Sequence, residues 1–394
     1  MVSITTRLNH MENAIAILTS SVSRNAGGLY DAIRCLALNL NAPVEIFGLQ
    51  DEYTETDRSG WGEIKLNAFE TSLFRSFGYA PGLYTSIHQK KIEVLHLHGL
   101  WMYPQWVTYN WQKKHKSPVI ISTHGMLNAW ALEISSWKKY LVGKAFAYKS
   151  LERATCIHAL CYSEYKAIRN FGLKNPVAII PNGITIPKRS NSKAPTQERK
   201  TLLYLGRLHP IKGLDLLIDA LGIIKSGNTN FFENWQVKMV GGGIPAHREA
   251  LEKNVRNLGL ENDVFFLGPR YNSAKEEALR TASAYILPSY SEGIPVSVLE
   301  AWSYKLPVLM TEKCNLSDGF ETDAAIKLEL NKENIAGQIL NLGSFDRKQR
   351  ETMGENGFRL VQSKYDWKKI AEKFERTYRW LIDGKSKPEF IYTD

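Results

Sequence analysis

Short apolar runs recur along this chain, each separated from the next by a helix-length polar or amphipathic stretch. In the first half they are Ala14–Leu18, Val44–Leu49, Val94–Leu97, Val119–Ser122, Thr155–Leu160 and Val177–Ile180. In the second half they are Leu202–Leu205, Gln236–Val240, Val264–Leu267, Ala284–Leu287, Val308–Met310 and Ala325–Leu328. A strand that is apolar throughout, instead of at every second residue, is covered on both faces. The spacers are long enough to carry the chain back to a parallel neighbour. The pattern therefore predicts an α/β fold with parallel sheets, and two sets of six predict two doubly wound domains. At 394 residues the chain is long enough to bury two cores.

The boundary is also legible. Pro181-Asn182-Gly183 reads as a turn, and the polar, charged stretch from Pro187 to Lys200 reads as a linker. This predicts one domain over 1–186 and a second from 187 onward. Ligands of doubly wound domains bind at the carboxyl ends of the strands, so the expected site lies in a cleft between the two.

With 44% hydrophobic and 23% charged residues, extensive disorder is excluded. Cys35, Cys156, Cys161 and Cys314 form no CxxC and no metal-ligand spacing, so they read as reduced, mostly buried thiols of a cytosolic protein. No segment reaches the roughly 18 apolar residues of a membrane span. The run at Ala14 follows a mixed-charge leader and is too short for a signal-peptide core. The expected location is the cytoplasm, including a peripheral position on the inner face of the cytoplasmic membrane.

The formal net charge of +10 is unevenly placed: 13 Lys/Arg stand against four acidic residues between Lys90 and Lys174. Such a patch implies an anionic partner. Trp101, Trp106, Tyr109 and Trp111 precede Lys113, Lys114 and Lys116, while Trp130, Trp137, Tyr140, Phe146 and Tyr148 interleave with Lys138, Lys139, Lys144 and Lys149. Rings beside ammonium groups suit a phospholipid surface contacted through residues 101–149, unless the rings are core and the lysines a solvated face. The same pattern could stack single-stranded nucleic acid, but no nucleic-acid-binding motif accompanies it, and none is expected as a partner.

The chemistry is concentrated at Leu287-Pro-Ser-Tyr-Ser-Glu-Gly-Ile-Pro-Val-Ser-Val-Leu-Glu300. A strand, a glycine turn and a helix opened by Pro295 at its first position make an anion site, with Glu292 and Glu300 flanking it. Phosphate beside carboxylates suits a nucleotide sugar. After the strand Leu202–Leu205, Gly206-Arg-Leu-His-Pro-Ile-Lys-Gly213 places Arg207 and Lys212 on a glycine-bounded turn, where both cations can meet one diphosphate.

These motifs resemble retaining glycosyltransferases of family 4, which have the GT-B fold. The resemblance runs over almost the whole chain and is specific at 202–213 and 284–311. It implies two Rossmann-like domains facing a cleft, 1–186 binding acceptor and 187–366 binding donor, with 367–394 crossing back onto the first through a helix near Trp367–Ile382. It implies that Arg207 and Lys212 stabilise a departing nucleoside diphosphate, that Glu300 binds the ribose, and that Glu292 lies by the donor sugar. The amides of Gly293 and Ile294 would face sugar or phosphate. His124, after the strand Val119–Ser122, matches the family's His-Gly element, and His98-Gly99 is a second candidate. Gly27-Gly28 matches the glycine pair that approaches diphosphate or acceptor. Gly241 begins the family's glycine loop, and Arg270 neighbours the nucleobase segment Phe265–Arg270.

The implied activity is hexose transfer from a nucleoside diphosphate sugar to a glycan or lipid-linked acceptor, in envelope or exopolysaccharide synthesis, with retention and without a metal or other cofactor. The alternatives are a nucleotide-sugar 2-epimerase of the same fold, or a noncatalytic lipid- or glycan-binding protein. Two positions depart from the family pattern: Thr185 replaces an Asp, and Tyr304-Lys305 replaces a small residue plus Gly before Leu306-Pro307-Val308.

Overall fold

The computed structural model describes residues 14–133, 136–187, 198–227 and 230–393. The leader before Ala14 and most of the expected linker, residues 188–197, lie outside these. The chain divides into two compact units, Met1–Gly183 with Trp367–Asp394, and Ile184–Asp366. The first crossing point falls three residues earlier than the expected linker start.

The first unit contains strands β1 (Ala14–Thr19), β2 (Val44–Leu49), β3 (Lys65–Phe69), β4 (Ile92–His98), β5 (Val119–Ser122), β6 (Cys156–Ala159) and β7 (Val177–Ile179). The second contains β8 (Lys200–Leu205), β9 (Trp235–Val240), β10 (Val264–Gly268), β11 (Ala284–Leu287), β12 (Val308–Thr311) and β13 (Ala325–Leu328), and a short β14 (Ile391–Tyr392) returns to the first. All twelve predicted runs are strands. The sheets run β14-β7-β6-β5-β4-β1-β2-β3 and β10-β9-β8-β11-β12-β13. Every pairing is parallel except β14 on β7.

Continuous apolar runs are what a sheet covered on both faces requires. In β1, Ile15 and Ile17 join a core with Ile33, Ile46 and Trp61. Ala16 and Leu18, pointing the other way, join a second core with Leu95, Leu97 and Trp111. The last helix, Trp367–Asp383, covers the first of these faces with Trp367, Ile370, Ala371, Phe374 and Tyr378. Their spacing of three and four puts them on one helical face. The entry of this helix is fixed by size: a Cβ on Gly183 would lie 2.6 Å from the Trp367 indole.

A buried polar chain ties that helix to the sheet. Tyr378 Oη lies 2.7 Å from His96 Nδ1, and His96 Nε2 lies 2.7 Å from Ser122 Oγ. Ser122 Oγ is 2.7 Å from His158 Nδ1, whose Nε2 donates to the Ile180 carbonyl. Every polar atom in this row has a partner, as burial demands.

Cys156, Cys161 and Cys314 are buried free thiols and Cys35 is half-buried. Burial pushes Cys156 and Cys314 up to about 12, far from reactive thiolates. The departure at Lys305 has a physical cost. The residue takes φ +60°, a conformation glycine adopts without strain. Its side chain is held by ion pairing to Glu355 and by the Phe358 ring 4.8 Å away.

Candidate functional site

In the second unit, three turns at the carboxyl ends of β8, β11 and β12 are tied into one construction. The β8 turn is held from behind by two tyrosines. Tyr204 donates to the Arg207 carbonyl at 2.7 Å, and Tyr285 donates to the Leu205 carbonyl at 3.1 Å. The Ile211 carbonyl then accepts from the Tyr290 amide at 2.8 Å and the Ser289 hydroxyl at 2.9 Å. Gly213 leaves this turn at φ +66°, and a Cβ there would collide with the Pro288 carbonyl. From the β12 side, Asn315 donates to the carbonyls of Glu292 and Gly293 at 2.7 and 3.1 Å.

The result brings Lys212 and Glu292 together. Nζ of Lys212 lies 2.5 Å from Oε1 of Glu292, with side chains 15% and 10% exposed. The amides of Gly293 and Ile294 have no acceptor among the described residues. They precede the helix Val296–Ser303, whose first amides are open by construction. Pro295 stands at the cap of that helix, one residue before the position expected for it. Ser297, in the first turn, lies 2.7 Å from the Tyr285 hydroxyl, so the helix start is anchored to β11.

Arg207 is exposed, and its guanidinium has no partner among the described residues. Its charge and that of Glu292 both reach the buried Tyr204 hydroxyl, whose ionisation is pushed up mainly by burial. Glu300, one turn further along the helix, does not join the Lys212 pair. Its Oε1 is 2.6 Å from Lys275 Nζ, which the sequence reading did not single out. Gly241 has its amide committed to the Gly268 carbonyl at 2.9 Å, and a Cβ would strike the Gly206 carbonyl. Its smallness lets the β8 and β9 turns touch. Arg270 is exposed just beyond Gly268, itself at φ +68°.

In the first unit, Gly27 caps the helix Gly28–Asn39 at φ +57°, and both glycines are exposed, with open space where a Cβ would stand. The loop leading to them is fixed by two carboxylates: Asp51 accepts from Ser21 and Ser23 at 2.6 Å each, and Asp57 accepts the Arg24 amide at 2.8 Å. His124, half-buried at φ +47°, follows β5. Burial depresses its imidazole to about 3, so it is neutral at ordinary pH.

The basic-aromatic stretch is not one surface. Trp111 and Phe146 are core residues, and Trp101, Trp106, Tyr109 and Tyr148 are half-buried. On the helix Ser136–Val142, Trp137, Tyr140 and Leu141 are exposed, with Lys144 Nζ 5.6 Å from the Tyr140 ring. The side chains of Trp130 and Lys138 lie outside what the structure describes. No helix among the described residues is long and apolar enough to cross a membrane, and no His/Cys/Asp/Glu group among them is arranged to hold a metal ion.

Two Rossmann-like parallel-sheet units make a GT-B architecture. The fold matches sucrose-phosphate synthase from Thermosynechococcus elongatus, with TM-score 0.75 at 20% identity over 94% of this chain and 100% of that one. It also matches Anabaena Alr3699/HepE, solved with UDP and glucose, with TM-score 0.75 at 18% identity over 93% and 99% of the two chains. In sequence, an uncharacterized glycosyltransferase of Methanocaldococcus jannaschii is 28% identical over 323 residues, 79% of this chain and 83% of its own. Three further curated glycosyltransferases match over less than half of their length. A family model described as "Glycosyl transferases group 1" matches residues 186–376, and one described as "Glycosyl transferase 4-like domain" matches 28–183. The chain belongs to the group 1 glycosyltransferases.

Proposed function

We propose that this protein transfers a hexose from a nucleoside diphosphate sugar to an acceptor hydroxyl with retention at the anomeric carbon. The observation that carries the reading is the Lys212–Glu292 pair beside the open amides of Gly293 and Ile294. Lys212 has three N–H donors and gives one to Glu292, so two remain for a diphosphate. Arg207 adds an uncommitted planar fork. With the helix N-terminus, these groups stabilise negative charge as the bond from anomeric carbon to diphosphate oxygen breaks. The departing phosphate oxygen takes the acceptor's proton as the acceptor oxygen bonds to the same face. Glu292 stabilises the positive charge that develops on the sugar, Glu300 accepts from ribose hydroxyls, and His124 hydrogen-bonds a sugar hydroxyl. The reading assigns charge neutralisation to side chains and amides and uses no metal ion. The UDP and glucose in the Anabaena HepE structure support a nucleotide-sugar donor here.

The acceptor is lipid-linked in this reading, with the protein peripheral on the cytoplasmic membrane face. Support comes from exposed Trp137, Tyr140 and Leu141 beside Lys139 and Lys144, within a strongly basic region. Leu73 and Phe74 are also exposed, and Phe77, three residues on, packs 6.1 Å from the Phe146 ring.

A thermal-shift series with UDP, GDP, ADP and their sugar conjugates tests the donor. A rise with one nucleotide supports the reading, and no rise with any of them sinks it. Product formed from the donor without acceptor would indicate the epimerase chemistry instead. Binding to anionic vesicles at low salt should weaken when Lys138, Lys139 and Lys144 become Gln. Unchanged binding would remove the membrane surface.

A further inference from the structure

Strands β4 and β5 end side by side, with His98 opposite Ser122 in register. Two residues past Ser122, the His124 ring folds back over His98. The rings stack with centroids 5.2 Å apart and 27° between planes, and His98 Nδ1 lies 3.0 Å from His124 Nε2. His98 is 3% exposed, and its Nε2 is buried with no hydrogen-bond partner among the described residues.

Burial holds both rings neutral, so each carries a single proton. The hydrogen bond between them can then be arranged in two ways. If His124 donates from Nε2, His98 must carry its proton on Nε2, leaving a buried N–H with no acceptor. If His98 donates from Nδ1, the orphan is a bare lone pair. Orphaned buried donors are rarer than under-satisfied acceptors, so the second arrangement is favoured. It leaves the His124 proton on Nδ1.

We infer that His98 is a positioning residue that fixes His124 as its Nδ1–H tautomer, so that His124 meets its ligand as a hydrogen-bond donor to a sugar hydroxyl. The inference rests on the reading that His124 contacts the sugar. A buried carboxylate completes the arrangement. Glu164 accepts from the Thr123 hydroxyl at 2.5 Å, the Leu160 amide at 2.6 Å and the Gly125 amide, gripping the loop on both sides of His124. That grip sustains the φ of +47° at His124, a backbone angle non-glycine residues rarely take. Ring orientation comes from Glu164 through the backbone, and the tautomer comes from His98 through the ring.

Histidine-labelled protein, studied by long-range 1H–15N correlation at pH 7 with His124→Gln for assignment, reads the tautomer directly. A protonated Nδ1 and a bare Nε2 on His124 are expected, and the reverse pattern overturns the inference. His98→Asn keeps a short N–H donor and should retain turnover within about threefold. His98→Phe should lose at least about tenfold in kcat, with the melting shift by nucleotide kept. A folded His98→Phe protein as active as wild type would also overturn it. Absence of sugar turnover in the wild type would instead count against the transferase reading, while the nitrogen spectrum still decides the tautomer.

Discussion

The ammonium of Lys212 lies 2.5 Å from Oε1 of Glu292, although eighty residues separate them in sequence. A cation suited to a diphosphate and a carboxylate suited to a developing oxocarbenium compensate one another before any ligand arrives. Neither is left as an isolated charge in a site where both are largely shielded from water.

Glu292→Gln keeps the volume and an acceptor for Lys212 but removes the negative charge. Turnover should fall by about a hundredfold or more, while the nucleotide-induced rise in melting temperature persists. Glu292→Ala should also lower stability, because Lys212, only 15% exposed, loses its partner. Steady-state kinetics beside thermal shifts check this, and unchanged turnover in Glu292→Gln would remove the charge from the mechanism.

Glu300→Ala should weaken nucleoside diphosphate binding by about tenfold, the worth of one charge-assisted hydrogen bond. Lys275→Met should cost less than about threefold, since Lys275 is 37% exposed and such pairs contribute little. Calorimetric titration of both variants separates the roles. Equal losses would mean that the pair binds as a unit.

Gly213→Ala forces a side chain into a left-handed backbone, about 1–2 kcal/mol by itself, and into the Pro288 carbonyl. We expect a loss of at least about 2 kcal/mol in denaturant unfolding, together with loss of nucleotide binding as the Lys212 turn shifts. A protein as stable as wild type would show that the turn can move freely.

Acid should loosen the first unit before carboxylates titrate. Burial depresses His124 to about 3 and His158 to about 4, and lowers His96 and His98 well below normal. In the unfolded chain each protonates near pH 6.5, so the unfolded state binds more protons below that value. Stability is therefore present above about pH 6.5 and falls as pH drops toward 4, by up to about 1.4 kcal/mol per pH unit for each histidine. Glu164 acts in the opposite sense, because burial raises its carboxyl. Hydrogen exchange of β4–β6 amides from pH 7 to 5 should quicken relative to β8–β12, beyond the intrinsic pH effect. Equal behaviour of the two sheets would refute the argument.

What the sequence announced follows from physical type. Strands buried on both faces stand out as apolar runs. β3 reads Lys-Leu-Asn-Ala-Phe, with no residue fully buried, and β14 is two residues long. Both lie at sheet edges, where little apolar content is needed, and neither was foreseen. Within the candidate site, charged residues and glycines were visible because their types are restrictive. Tyr204, Tyr285, Ser289 and Asn315 were not, since each acts by holding a particular carbonyl and nothing in its spacing marks that duty. The Glu300–Lys275 pair was hidden by distance along the chain. Lys305 stands out in the sequence as a departure from the family pattern, and its consequence is a left-handed backbone at that position.

The return of the last helix has a consequence for how the molecule is made. Residues 14–183 lack Trp367, Phe374 and Tyr378 for one face of their core, and His96 lacks its Tyr378 partner. On the ribosome the first unit to be started is thus the last to be finished. The second, drawn from one uninterrupted stretch, has all its strands before the first receives its closing helix. Nascent chains halted before Trp367 would expose an apolar sheet face to whatever chaperone attends them, and a late stop codon would be felt at the amino-terminal end of the protein.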